Sequence, residues 1–143
     1  MNEPKPAAFS FQKFQILKFS FSEPLTDEGE IGLEFSPSGK YFPSTGIFEI
    51  HMDFGASQIL SKDKPGTPII DAYYIATFLF EESIPFESIP SFFYVNSIAI
   101  SFPYLRAFIS TLTLQANVKL LMLPLMNLTG LEANLKENTK VAE

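Results

Sequence analysis

Between residues 9 and 21 apolar side chains come in pairs two apart: Phe9 and Phe11, Phe14 and Ile16, Phe19 and Phe21. A strand alternates with period two, and here the parity switches twice. The pattern therefore predicts one long strand whose bulges flip the inward face, ended by Glu23-Pro24. Ile31, Leu33 and Phe35 alternate for a short second strand, closed by the turn signal Ser36-Pro37-Ser38-Gly39. From about 46 to 56, Phe48, Ile50, Met52 and Phe54 face one way, while Glu49, His51 and Asp53 face the other. That alternation predicts a third strand with one wet face. A fourth, from about 69 to 82, is apolar on both faces, predicting helices against one and another subunit against the other. Ile84-Pro85 to Ile89-Pro90 reads as a linker.

The period then changes. Val95, Ile98, Phe102, Leu105, Ile109, Leu112 and Ala116 recur at spacings of three and four. This stripe keeps its phase across Pro103, which predicts one helix kinked at the proline and ended by Asn117. Residues 118–126 are apolar but too short and proline-broken for a good helix. Asn127 is placed to cap a second helix carrying Leu128, Leu131 and Leu135 on one face. Residues 1–8 and 136–143 are expected to be flexible. The whole, residues 1–143, reads as a single α+β domain: a four-stranded antiparallel sheet, a long kinked helix, a connecting loop and a short C-terminal helix.

Composition sharpens this picture. Apolar residues make up 46% of the 143, with 16 Phe, no Trp and no Cys, and mean hydropathy is +0.15. A single small domain has too much surface for its volume to hide so much apolar area, so an oligomer or a covered binding surface is expected. The formal charge is −6, with 10 scattered basic residues. Phosphate binding needs a basic face, which argues against nucleic acid. Cysteine is absent, so neither a disulfide framework nor the commonest structural zinc ligands are available. The N-terminus, with an acid and two prolines, does not read as a signal peptide. Residues 107–131 carry one charge, Lys119, and are long enough for a bilayer span of about 20 residues. Gln115, Asn117, Lys119, Pro124 and Asn127 fall in its middle, where polar groups are costly. A cytoplasmic chain without membrane insertion is expected.

Candidate chemistry is thin. His51 is the sole histidine, flanked on its strand face by Glu49 and Asp53. This trio could hold a proton or a metal, but it reads more simply as a solvated polar face. Ser97, Ser101, Ser110 and Thr111 are better explained by back-bonding than by nucleophilic catalysis. The seven glycines form no phosphate-binding loop. The expectation is no enzyme, no cofactor and no metal.

Two blocks remain, Phe102-Pro103-Tyr104-Leu105-Arg106 and Leu123-Pro124-Leu125-Met126-Asn127-Leu128 with Leu131. They resemble the paired F-P-Y-A-R and L-x-P-[IV]-N-F-x-x-L segments of the SecB export chaperones, and the order of elements over residues 9–135 is similar to that family's. The second block has its proline one place early, at Pro124. The resemblance implies an ATP-independent holdase, a dimer of dimers, that binds unfolded preproteins or, in the toxin–antitoxin branch, an antitoxin. It implies an apolar groove with Leu121, Leu123, Met126, Leu128 and Leu131 as loop and lid, and with Phe78 and Phe80 on the floor. The SecA motor would be a partner only if the acidic docking face were kept, and Phe19 stands where one of its acids is expected. Two rival readings use the same apolar residues: an assembly protein that only oligomerises through its sheet face, and a carrier of apolar small molecules.

Overall fold

The computed structural model describes residues 8–26, 29–119, 121, 123–124 and 128–142. Four long strands come first: β1 (Phe9–Phe21), β2 (Glu30–Phe42), β3 (Ile47–Ile59) and β4 (Thr67–Phe80). After a 3-10 turn at Phe86–Ser88 come α1 (Ser91–Gln115), α2 (Leu131–Glu137) and β5 (Thr139–Val141). The sheet has five strands in the order β1-β4-β3-β2-β5. β5 runs parallel to β2, and the other pairings are antiparallel. The expected four-stranded antiparallel sheet is therefore a mixed five-stranded one.

β1 carries the parity switches as structure. Register shifts fall between Phe11 and Lys13 and again between Ile16 and Lys18. Each inserts one unpaired residue, so all three apolar pairs stand opposite the buried line of β4, from Phe80 and Phe78 to Ala72 and Ile70.

β2 departs from expectation. Ser36-Pro37-Ser38-Gly39 makes no turn; the strand runs through it in unbroken register with β3. Gly39 is required there because a Cβ would stand 2.8 Å from the Phe48 ring and also strike the Thr139 hydroxyl. The C-terminus, expected to be flexible, forms β5 instead. Gly39 N–H donates to the Asn138 carbonyl at 3.2 Å, and Ala142 N–H to that of Tyr41 at 2.8 Å. Thr139 Oγ1 donates to the Leu135 carbonyl at 2.6 Å, fixing β5 to the end of α2. That helix opens at Leu131 after Gly130, later than predicted, and Asn127 lies outside the described residues.

α1 runs unbroken through Pro103 and, by length and composition, could cross a membrane. Here it lies on one face of the sheet. Its buried line includes Phe93, Ile98, Phe102, Leu105 and Ile109, while Val95 is only half-buried and Ala116 is exposed. Phe93 is the hub: its ring lies 4.7 Å from Phe48, 4.9 Å from Phe80 and 4.9 Å from Phe9. These tilted and edge-on contacts add to the area they bury. Ser97 and Ser101 are fully buried, and their small side chains leave room for the neighbouring rings. Each hydroxyl bonds back to the carbonyl three residues earlier, at 3.4 and 3.0 Å, so neither is left unpaired.

Phe93→Ala is expected to cost about 3–5 kcal/mol, a loss of large aromatic volume from a close-packed site, read as a lower urea midpoint at fixed protein concentration. Tyr74 adds a pH dependence. Burial pushes its phenol up to about 12, only partly offset by the hydrogen bond with Ser101 at 3.1 Å. The unfolded chain ionises near 10 and the folded chain near 12, so stability from this group is complete below pH 10 and is lost as pH rises through about 12. Between those values wild type should lose about 2–3 kcal/mol more than Tyr74→Phe, measured by urea denaturation at pH 8 to 11.5.

Candidate functional site

The two sequence blocks meet in space through one side chain. Arg106, the lone charged residue of α1, is half-buried and turns its Nε toward the carbonyl of Leu123, to which it donates. Leu123 is fully buried in the core. A second tie lies one turn past Ile109, where Thr113 Oγ1 accepts the amide of Leu121 at 3.0 Å. The same hydroxyl donates within α1, toward the carbonyls of Ile109 at 3.1 Å and Ser110 at 3.2 Å. Two groups on the helix thus pin the described part of the connecting loop.

Beneath that loop lies an apolar cavity of about 100 Å³. Phe21, Ile31 and Ile69 line it from the sheet, and Val118 and Leu121 from the loop side. Its polar rim includes Gln58, which is almost fully buried. The Gln58 carboxamide accepts the Leu25 amide at 3.0 Å and donates to the Thr26 carbonyl at 2.6 Å, holding the segment after β1 against β3. Leu25, Ile31 and Leu60 stand exposed around this end of the sheet, with Leu60 against Gly29, itself part of the lining.

The predicted groove residues divide. Leu121 lines the cavity. Leu128 and Leu131 are half-buried against the core, and Leu123 is inside it. Met126 lies outside the described residues. Phe78 and Phe80 are not a groove floor. They are 0% and 2% exposed beneath the start of α1, with Phe93 at 5.7 and 4.9 Å. They stand at the far end of β4 from Ile69, roughly 30–35 Å along the strand at its usual rise. The sheet residues that line the cavity are Phe21, Ile31 and Ile69. Sequence reasoning marked Arg106 only as part of the first block, without its contact to Leu123, and missed Thr113 and Gln58.

The outer face of the sheet carries a wider, open trough of about 340 Å³ with Lys18, Glu34, Asp53, Asp71 and Tyr73 on its walls. Beside it His51 is held at both ring nitrogens, by Glu49 Oε1 at 2.9 Å and by the Tyr73 hydroxyl. Partial burial raises the Tyr73 phenol above its ordinary value, with the charges of Asp53 and then Glu49 adding to the effect. Among the described residues, no group of three His, Cys, Asp or Glu side chains is placed to hold a metal ion.

Comparison with known proteins turns on the fold. The SecB-like chaperone Rv1957 of Mycobacterium tuberculosis, solved with a ChAD peptide from the HigA1 antitoxin Rv1956, superposes with a TM-score of 0.60. The match covers 82% of this chain and 87% of that one, at 16% identity. The chain has a SecB-like fold. An uncharacterised protein of Methanocaldococcus jannaschii, MJ0357, is 46% identical over 57 residues, or 40% of this chain. The matched stretch spans 36% of that relative's length. No protein-family model matches. Within the SecB-like frame, the paired blocks have a physical role: the arginine of one holds the leucine carbonyl of the other.

Arg106→Met should free the Leu123 carbonyl and cost about 1–3 kcal/mol, the range for losing a hydrogen bond to a charged group. Thr113→Val should speed amide exchange at Leu121 by about tenfold while leaving strand amides unchanged, as read by hydrogen–deuterium exchange.

Proposed function

We propose that the chain is an ATP-independent holdase that binds extended segments of non-native polypeptides. The observation that carries this reading is the apolar cavity under the pinned loop, with exposed Leu25, Ile31 and Leu60 around it. A cavity of about 100 Å³ takes one or two side chains of a passing chain. It falls well below the roughly 300–1,000 Å³ of drug-sized ligand sites, which disfavours the carrier reading. One buried side chain supplies about 1.5–3 kcal/mol, too little for tight binding alone. Several cavities on one oligomer would supply the rest through avidity. An antitoxin segment is one client class, by analogy with the peptide-bound structural neighbour; preproteins are another. Nothing in this mechanism requires nucleotide, metal or the SecA motor.

The oligomer is assigned to α1. Apart from Arg106 the helix carries no charge, and Phe92, Ile100 and Leu114 stand exposed along the side away from the sheet. A helix apolar all round belongs inside a larger body. We assign this stripe to contacts within a cytoplasmic dimer of dimers. The same stripe favours the rival reading, in which apolar surface serves assembly alone.

Refolding of a slow-folding precursor separates the two. Stoichiometric delay of refolding without ATP is expected, and refolding at the control rate from an intact oligomer would leave assembly as the sole role. Ile31→Glu should weaken holding about tenfold with the mass unchanged, whereas Ile100→Asp with Leu114→Asp should lower the mass by light scattering.

A further inference from the structure

β2 has one covered and one open stretch along the edge that faces away from β3. Gly39 N–H and the Tyr41 carbonyl bond to the β5 segment, which shows that odd-numbered residues of β2 turn their amide groups outward. The register with β3 is free of bulges over the whole strand, so the same parity holds back to its start. Ile31, Leu33 and Phe35 therefore direct N–H and C=O groups off the sheet, and among the described residues no backbone bond meets them. Burial follows the same boundary: Pro37, Gly39 and Tyr41 are buried, Leu33 and Phe35 half-buried and Ile31 exposed.

The other edge of the sheet is differently made. β1 is bulged twice, with Lys13 and Lys18 directly after the shifts. Bulges and lysines are how natural sheets blunt an edge against pairing. β2 has neither between Glu30 and Ser36, and it borders the cavity through Ile31.

We infer that the edge of β2 from Glu30 to Ser36 binds its client by strand addition, as a sixth strand of the sheet. This rests on the holdase reading and supplies its recognition mode. The occupant is an extended polypeptide segment of alternating apolar and basic residues. Its apolar side chains would share the helix side with Ile31, Leu33 and Phe35, whose neighbours there include Phe54 and Phe102. Its alternate side chains would fall on the outer face beside exposed Glu30 and Glu34, which favours Lys or Arg. Main-chain bonds would then give affinity for many sequences, and the alternation would give preference. Pro37, without an N–H, ends the open stretch where β5 begins.

The test uses a fluorescein-labelled heptapeptide of alternating valine and lysine, with two analogues N-methylated either on all valines or on all lysines. A strand turns alternate amides to its neighbour, so one analogue should lose at least tenfold in affinity and the other should bind nearly as the parent. Equal binding by both, or equal loss in both, would overturn strand addition. On the protein side, Leu33→Pro removes one outward N–H and no bond to β3, and Pro37 already occupies such a position in this strand. It should weaken the peptide about tenfold with the circular dichroism and mass unchanged. A lowered mass with peptide affinity intact would give the edge to a second copy and overturn the proposal. If wild type and Leu33→Pro delay precursor refolding equally, strand addition fails while the holdase reading stands; if wild type neither delays refolding nor binds the peptide, both fail.

Discussion

Everything in this molecule depends on laying one apolar helix across one face of the sheet. α1 has a single charged side chain in 25 residues, so burial alone decides where it goes. Its aromatic hub, Phe93, sits among rings from β1, β3 and β4. Further along, Ser97 and Ser101 are buried without polar loss because their hydroxyls bond within the helix and, for Ser101, to Tyr74. Burying one side of such a helix leaves the other side apolar and wet. The fold thus leaves Phe92, Ile100 and Leu114 exposed on that side.

The same helix positions the loop. Arg106 and Thr113 lie seven residues apart, two helical turns, and so on the same side of α1. Each holds a backbone group of the chain that returns toward α2, through Leu123 and Leu121. A charged group spent on a carbonyl of a buried leucine is costly to remove, because the carbonyl would lose its partner in a dry site. Gln58 does the corresponding work from the sheet, fixing Leu25 and Thr26. The cavity exists because both of its walls are tied by side chains from the rigid core rather than by their own packing.

How much of this was legible depended on whether the signal was local. The doubled parity switch in β1 was readable because each bulge must restore Phe14 and then Phe19 to the face of Phe9. The turn read at residues 36–39 was wrong because proline and glycine have a second use. Pro37 lacks an N–H at an edge position that needs none, and Gly39 clears room for β5. β5, three residues with two polar side chains, has no periodicity to read. The paired blocks were visible as a resemblance, but the lining of the cavity was not. Alternation marks Phe78 and Ile69 equally as inward, and only the placement of α1 decides that the first is covered by Phe93 while the second borders a cavity.

The division of the β2 edge has a steric origin. At Gly39 the Thr139 hydroxyl and the Phe48 ring approach so closely that no Cβ fits, and that hydroxyl is committed to the end of α2. β5 therefore cannot slide along β2 without losing both the glycine seat and the bond to Leu135. β5 covers three residues, and among the described residues no backbone bond meets the outward groups of the stretch before Pro37. A sheet that needed only to be closed would have been served by a longer β5 or by bulges in the edge strand. This chain instead spends bulges and lysines on β1 and leaves β2 regular, half-apolar and next to the cavity. The asymmetry between the two edges makes the open one a seat for another chain.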